Sequence, residues 1–263
     1  MTRRLFNLAL AALAALAFAQ PACAEEVRVM ISGGFQAAYR ALGPEFEKWT
    51  GIKLVTITGP SMGATPEAIP NRIDRGEPVD VVIMVGDALD ELVKRGKVDP
   101  ESRVDLARSP IAMAVRAGER KPDISTVEAL KRALLEAKSI AYSDSASGVY
   151  LETVLFPRLG IAEQLRGKAR AIPAEPVGKV VARGDAQIGF QQLAELKPIP
   201  GIDIVGLLPE GAQKITMFSA GISTTSKEPR GAYALVKFLG TYHAGRYITE
   251  TGLDPVKKQK EAY

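Results

Sequence analysis

Val27-Arg28-Val29-Met30-Ile31, a helical pattern from Phe35 to Trp49, and Lys53-Leu54-Val55-Thr56-Ile57 follow one another near the start of the sequence. Short β-rich runs alternating with amphipathic helical stretches are the pattern of parallel βαβ units. The alternation continues with a helix over roughly Glu67–Asp74, the strand Asp80-Val81-Val82-Ile83-Met84 and a helix from about Asp87 to Arg95, which completes a first α/β lobe. The run Ile111-Ala112-Met113-Ala114-Val115 opens a second set. Its members are a helix near Val127–Ala137, the strand Ser139-Ile140-Ala141-Tyr142, helices from about Ser147 and Pro176, and the strands Gln187-Ile188-Gly189-Phe190 and Ile202-Asp203-Ile204-Val205. After Lys214 the apolar strand Ile215-Thr216-Met217-Phe218-Ser219-Ala220 leads into two C-terminal helices, which need a partner and are expected to return to the first lobe. Extended crossings near residues 109–115 and 215–222 read as paired hinge strands. The expected fold class is therefore α/β, with two lobes and a ligand cleft between them. Lobe 1 is assigned to residues 25–110 with 217–263, and lobe 2 to 111–216. No internal repeat, low-complexity tract or Gly/Ser linker interrupts this order.

Residues 1–24 are expected to be a cleaved signal peptide. Arg3 and Arg4 precede an apolar run from Leu5 to Ala19, and Ala22-Cys23-Ala24 supplies a small-x-small site before Glu25 and Glu26, with cleavage after Ala24. The apolar run is too short to span a bilayer comfortably, so stable membrane insertion is not expected. Gln20-Pro21-Ala22 before Cys23 lack the aliphatic residue of a lipobox, which argues against lipid anchoring. The Thr2-Arg3-Arg4-Leu5-Phe6 start leaves the general secretory and twin-arginine routes both open, and either delivers the chain to the periplasm.

Cys23 is the sole cysteine, so the mature chain has no disulfide, thiolate metal site or cysteine nucleophile. Losing Arg3 and Arg4 from 34 basic residues, against 30 acidic ones, leaves a small, interspersed charge that gives nucleic-acid binding no support. The one histidine, His243, falls in a surface-helix pattern, which removes a histidine metal site or a catalytic triad from consideration.

In open α/β sheets, ligands sit beyond the C-terminal ends of strands, where helix N-termini offer unpaired N–H groups to anions. Small, hydroxyl- and glycine-rich turns follow three strands here: Ser32-Gly33-Gly34, Gly59-Pro60-Ser61-Met62-Gly63, and Ser143-Asp144-Ser145-Ala146-Ser147-Gly148. Any one of these serines has helix capping as its ordinary role. Three such turns in register point to a shared anion cradle.

Gly59-Pro60-Ser61-Met62-Gly63, Arg75-Gly76-Glu77-Pro78-Val79-Asp80-Val81-Val82, Ile140-Ala141-Tyr142-Ser143-Asp144 with Ser147-Gly148-Val149-Tyr150, and Ala182-Arg183-Gly184-Asp185-Ala186-Gln187-Ile188-Gly189-Phe190 resemble the molybdate-type periplasmic solute-binding family. The resemblance spans essentially the whole mature chain and implies the type 2 periplasmic binding fold. It places Ser32, Ser61, Ser147 and Tyr150 at the family's oxyanion contacts. Two departures, the added segment Ala64-Thr65-Pro66-Glu67 and the short turn at Ser145-Ala146, suggest a different, larger ligand. Pro60-Ser61-Met62-Gly63, Ile69-Pro70-Asn71-Arg72, Tyr142 to Leu151 and Ile172-Pro173-Ala174-Glu175-Pro176-Val177-Gly178 are more similar to the aconitate isomerase branch of that family. This branch implies interconversion of cis- and trans-aconitate without a cofactor.

That reaction takes a proton from a methylene carbon and delivers one at the far end of an allylic system, which a single positioned acid/base or a pair can do. Arg72 is the first candidate clamp for a substrate carboxylate, its alternative being a solvated helix face. Tyr150, Glu175 and Asp144 are the candidates for proton transfer. Each has a structural alternative: a core aromatic for Tyr150, and helix capping for Glu175 and Asp144. The expected substrate contacts are Ser32, Gly33, Ser61, Met62, Arg72, Ser143, Ser145, Ser147, Gly148, Tyr150 and Gln191, with Gln192 able instead to bond loop backbone. The residues fit an isomerase of aconitate. They also fit a non-catalytic receptor that passes an oxyanion or carboxylate to an ABC permease, and the fold alone does not separate the two. A monomer is expected.

Overall fold

A computed structural model describes residues 25–173 and 175–256. The expected signal segment, with its cleavage after Ala24, lies outside the described residues, as do residues 257–263. In chain order the elements begin with β1 (Glu26–Ile31), α1 (Gly33–Thr50), β2 (Lys53–Thr58), α2 (Ile69–Asp74), β3 (Val81–Val85), α3 (Gly86–Lys94) and β4 (Val104–Ser109). The next group is β5 (Ile111–Arg116), α4 (Val127–Glu136), β6 (Ile140–Ser143) and α5 (Ala146–Tyr150), the last running on through a π-helical turn at Leu151–Leu155. There follow α6 (Ala162–Leu165), β7 (Ala169–Ile172), α7 (Val177–Ala182), β8 (Ile188–Gln192), α8 (Leu193–Leu196) and β9 (Ile202–Leu207). The chain closes with β10 (Thr216–Ile222), α9 (Pro229–Leu239), α10 (Tyr242–Glu250) and the two-residue β11 (Asp254–Pro255).

Two sheets result. One has the order β11-β4-β10-β3-β1-β2 and the other β7-β6-β8-β5-β9. The βαβ units make parallel pairs, β1 with β2 and β3, and β6 with β7 and β8. The crossing strands are antiparallel: β10 runs against β3 and β4, and β5 against β8 and β9. Both sheets are thus mixed, because the strand that brings the chain into each sheet after a crossing, β5 or β10, runs opposite to the parallel strands. The fold is the α/β, type 2 periplasmic binding architecture.

Each sheet has its own core. β3 is buried along its whole length and β1 over its last three residues, as strands covered on both faces must be. Leu235, Val236, Phe238 and Leu239 of α9 and Ile248 of α10 join Val27, Ile31, Phe35 and Ile83 in one cluster, so the C-terminal helices pack on the first sheet. Ile111, Met113, Ile140, Leu155 and Phe190 anchor the other. Burying each such side chain contributes about 1.5–3 kcal/mol. His243 lies exposed on α10, its ring 5.0 Å from that of Trp49.

The chain passes between the sheets at Pro110 and again between Leu207 and Thr216. Two glutamines tie these passages together. Gln213 accepts from the Ile111 N–H (2.9 Å) through its side-chain oxygen and donates to the Ile111 carbonyl (2.9 Å) through its nitrogen. Gln192, oriented so that all its polar atoms are satisfied, donates to Ser109 Oγ at 2.7 Å and accepts from Thr216 Oγ1 at 3.0 Å. The strand ends that form the cleft floor are therefore held across both crossings.

Candidate active site

The loops beyond the C-terminal ends of β1, β2, β6 and β8 converge on a cavity of about 380 Å³ between the two sheets. From the first sheet's side come Ser32, Gly33, Ser61 and Thr65, and from the second Asp144, Ser145, Ser147, Gln191 and Glu195. A volume of this order suits a small organic ligand.

Ser32 occupies the N-cap of α1 in extended conformation (φ −93°, ψ 160°), yet its side chain makes no cap hydrogen bond. Its Oγ is buried and has no partner among the described residues; the same holds for Thr65 Oγ1, and both residues line the cavity. A buried hydroxyl left unpaired costs about 1–3 kcal/mol, so two in one cavity mark a place prepared for an acceptor. Ser61 Oγ accepts the Val85 N–H at 3.0 Å, which leaves its own proton free to donate. Ser143 and Ser147 share one hydrogen bond at 2.9 Å, leaving one hydroxyl proton of the pair to offer. The first turn of the 18-residue α1 adds the positive end of its dipole.

The acidic side chains differ sharply in setting. Arg183 grips Glu175 through two bonds of 2.8 and 2.9 Å, and these bonds hold the Glu175 carboxyl below the usual range. Burial pushes Asp144 up. Burial also pushes Glu195 up to about 7, against a smaller opposing effect of the bond it accepts from Gln191 Nε2 at 2.6 Å. Glu67 lines the rim, exposed. Among the described residues no lysine or arginine lines the cavity. An anion held here is held by neutral donors.

Ser32, Gly33, Ser61, Ser143, Ser145, Ser147 and Gln191 line the cavity, as do Asp144 and Glu175. Four expected contacts lie elsewhere. Arg72 does not reach in: its guanidinium bonds Glu77 at 2.7 Å and the Glu67 carbonyl at 3.1 Å, because Glu77 stands at the exit of the short helix that carries it. The Tyr150 hydroxyl donates to the Ala212 carbonyl (3.0 Å) and accepts from Arg158 (3.2 Å), while its ring packs in the second core. Met62 packs against the first core and lines a separate depression with Val149 and Tyr150. Gly148 serves packing, since a Cβ there would lie 1.5 Å from the Ser143 carbonyl oxygen.

Thr65 and Glu195 line the cavity without having been singled out. Thr65 belongs to the segment Ala64-Thr65-Pro66-Glu67, from which Glu67 also lines the cavity. The signal for Glu195 is a carboxylate within the apolar run Leu193-Ala194-Glu195-Leu196, immediately after the buried Gln191-Gln192 strand end.

Two α/β lobes around a donor-lined cleft define the solute-binding class of proteins, and this chain belongs to the bacterial extracellular solute-binding protein family, whose model matches residues 27–254. Over 98% of its length it is 54% identical to an aconitate isomerase from Pseudomonas sp, covering all of that protein. It is 28% identical to the molybdate-binding protein ModA of Azotobacter vinelandii, over 87% of this chain and 89% of that one. The solved structure of the Azotobacter vinelandii periplasmic molybdate-binding protein superposes with a TM-score of 0.70 at 22% identity, covering 89% of this chain and 100% of that one. No helix among the described residues is long and apolar enough to cross a membrane.

Proposed function

We propose that this protein is an isomerase that interconverts cis- and trans-aconitate by allylic proton transfer, without a cofactor. The observation that carries the reading is the 54% identity to an aconitate isomerase across nearly the whole of both chains. The site accords with it. A tricarboxylate needs several donors at fixed places, and Ser32, Gly33, Ser61, Ser143, Ser145, Ser147 and Gln191 are the contacts we assign to it. Removing a methylene proton spreads negative charge over the allylic carbons and the adjoining carboxylate, and donors fixed before the reaction stabilise that charge without reorganising. The enzyme works in the periplasm as a monomer, after loss of residues 1–24. Residues 25–110 with 217–263, and 111–216, are the lobes that close on the substrate.

A transport receptor for an oxyanion is the second reading, favoured by the absence of lysine and arginine from the cavity lining among the described residues. The test is incubation of the metal-free mature protein with cis-aconitate in buffered D2O, followed by proton NMR of the vinyl and methylene signals. Appearance of trans-aconitate is the expected result. No conversion over hours overturns the isomerase reading, and thermal-shift screening with molybdate, sulfate and tricarboxylates then identifies the anion a receptor carries.

A further inference from the structure

We propose that Glu195 is the catalytic proton carrier of this isomerisation and that Gln191 is the residue that positions it. The inference rests on the isomerase reading above and goes beyond it by naming the group that moves the proton.

Four acidic side chains line the cavity, and geometry separates them. Glu67 is exposed to solvent at the rim. Glu175 is occupied by the two-pronged bond from Arg183, which stabilises its ionised form and makes it a poor base. Asp144 is half-buried at the mouth of the serine-rich turn. Glu195 stands opposite the first turn of α1: a Cβ built on Gly33 would fall 2.8 Å from Glu195 Oε2, so only a glycine lets this carboxylate approach the anion cradle so closely. It also crosses from one lobe to the other, since α8 follows a strand of the second sheet and Gly33 follows a strand of the first.

The carboxylate is held in one orientation. The Gln191 side-chain oxygen accepts the Val177 N–H at 2.9 Å, one of the donors left open at the start of α7. With its oxygen fixed there, the Gln191 amide must turn its NH2 toward Glu195, which it reaches at 2.6 Å. This bond engages Oε2; among the described residues no hydrogen bond engages Oε1, and no lysine or arginine lines the cavity. Burial that raises this carboxyl to about 7 lets it both accept and return a proton near neutrality, which is what a carrier must do.

The step balances without another reactant. A methylene C–H bond breaks, its proton passes to the Glu195 carboxylate, and its electron pair enters the allylic system. The O–H bond of the resulting carboxylic acid then breaks, a new C–H bond forms at the former vinyl carbon, and the double bond has moved by one position. Glu195 ends as it began, and nothing is oxidised or reduced. Which geometric isomer emerges depends on how the two carboxylate-bearing arms lie when the proton returns.

The experiment compares wild type, Glu195→Gln and Asp144→Asn by proton NMR in D2O with trans-aconitate. Binding of tricarballylate, a saturated tricarboxylate that cannot isomerise, is measured alongside by calorimetry. Glu195→Gln is expected to lose roughly a hundredfold to ten-thousandfold in kcat while tricarballylate affinity stays within about fivefold. Wild-type kcat/KM is expected to rise with pH through about 7 as Glu195 ionises. Turnover by Glu195→Gln within about tenfold of wild type, with or without loss in Asp144→Asn, overturns the assignment and leaves the isomerase reading standing. No turnover by wild type overturns both, and is distinguished by failing before any variant is compared. Should Glu195→Gln not fold, Glu195→Asp decides, since it keeps the charge but withdraws it by one methylene: a fall in kcat with KM kept supports the carrier, and an unchanged kcat overturns it.

Discussion

Ser32 carries the clearest trade between stability and function at the scale of single residues. Its hydroxyl sits at the N-cap of α1 without making the usual cap bond, 3% exposed and without a partner among the described residues. Replacing it with alanine removes no hydrogen bond from the ligand-free protein and takes away an unpaired buried group. Ser32→Ala is therefore expected to leave the thermal midpoint of the ligand-free protein unchanged or raised. Affinity for tricarballylate should fall by about tenfold or more, since a hydrogen bond to a charged group contributes about 1.5–3 kcal/mol. A lower midpoint by calorimetry would assign the hydroxyl a structural role instead. That the serine turns share one cavity was legible from their place after successive strands. For Arg72 and Tyr150 the sequence left a site role and a structural one both open, because the partners that take them, Glu77 and the Ala212 carbonyl, are fixed by the path of the backbone and not by residue type.

At the scale of elements, alternation of β-rich and helical runs identified the parallel strands β1, β2, β3, β6 and β8, while β4 and β7 escaped it for a shared reason. β4 carries Asp105 and Arg108, and β7 is an edge strand with two exposed residues, so neither shows an apolar run. Their pairing comes from neighbours that the local pattern does not reveal. The turn between β6 and α5 shows the converse, a local constraint that sequence states but does not explain. Gly148 lies where a Cβ would overlap the Ser143 carbonyl oxygen and approach the Tyr142 ring at 2.9 Å. Gly148→Ala must therefore push α5 away from β6, separating Ser143 from Ser147 and disturbing the buried Tyr142 ring. The expected result is a loss of stability of about 1–3 kcal/mol, the range for overpacking a tight core, together with weaker tricarballylate binding. Denaturant unfolding followed by fluorescence measures the first, and an unchanged unfolding midpoint would show that the turn yields without strain.

For the whole molecule, Glu195 links the ionisation of the cleft to the stability of the fold. Its carboxyl stays protonated in the folded chain up to about 7, whereas in the unfolded chain it ionises near the ordinary 4.5. Between those values the unfolded state has released a proton that the folded state retains, so this group's contribution to stability is full below the lower value and is lost as pH rises through the upper one. The thermal midpoint of the ligand-free wild type should thus carry a decline between pH 5 and pH 8 that Glu195→Gln lacks, and the variant should gain on wild type as pH rises. Anion binding follows the same direction, because a polycarboxylate entering beside a neutral Glu195 meets less repulsion than beside a charged one. At a tricarballylate concentration of one hundred times its dissociation constant, closure of the two lobes on the ligand should add about 2.7 kcal/mol. That corresponds to a rise of roughly 5–10 °C in the midpoint for a chain of this size. Scanning calorimetry at pH 6 and pH 8 with a fixed ligand concentration checks both statements together. A larger ligand-induced rise at pH 6 is expected, and an equal rise at the two pH values would place the charge of Glu195 outside the ligand's reach.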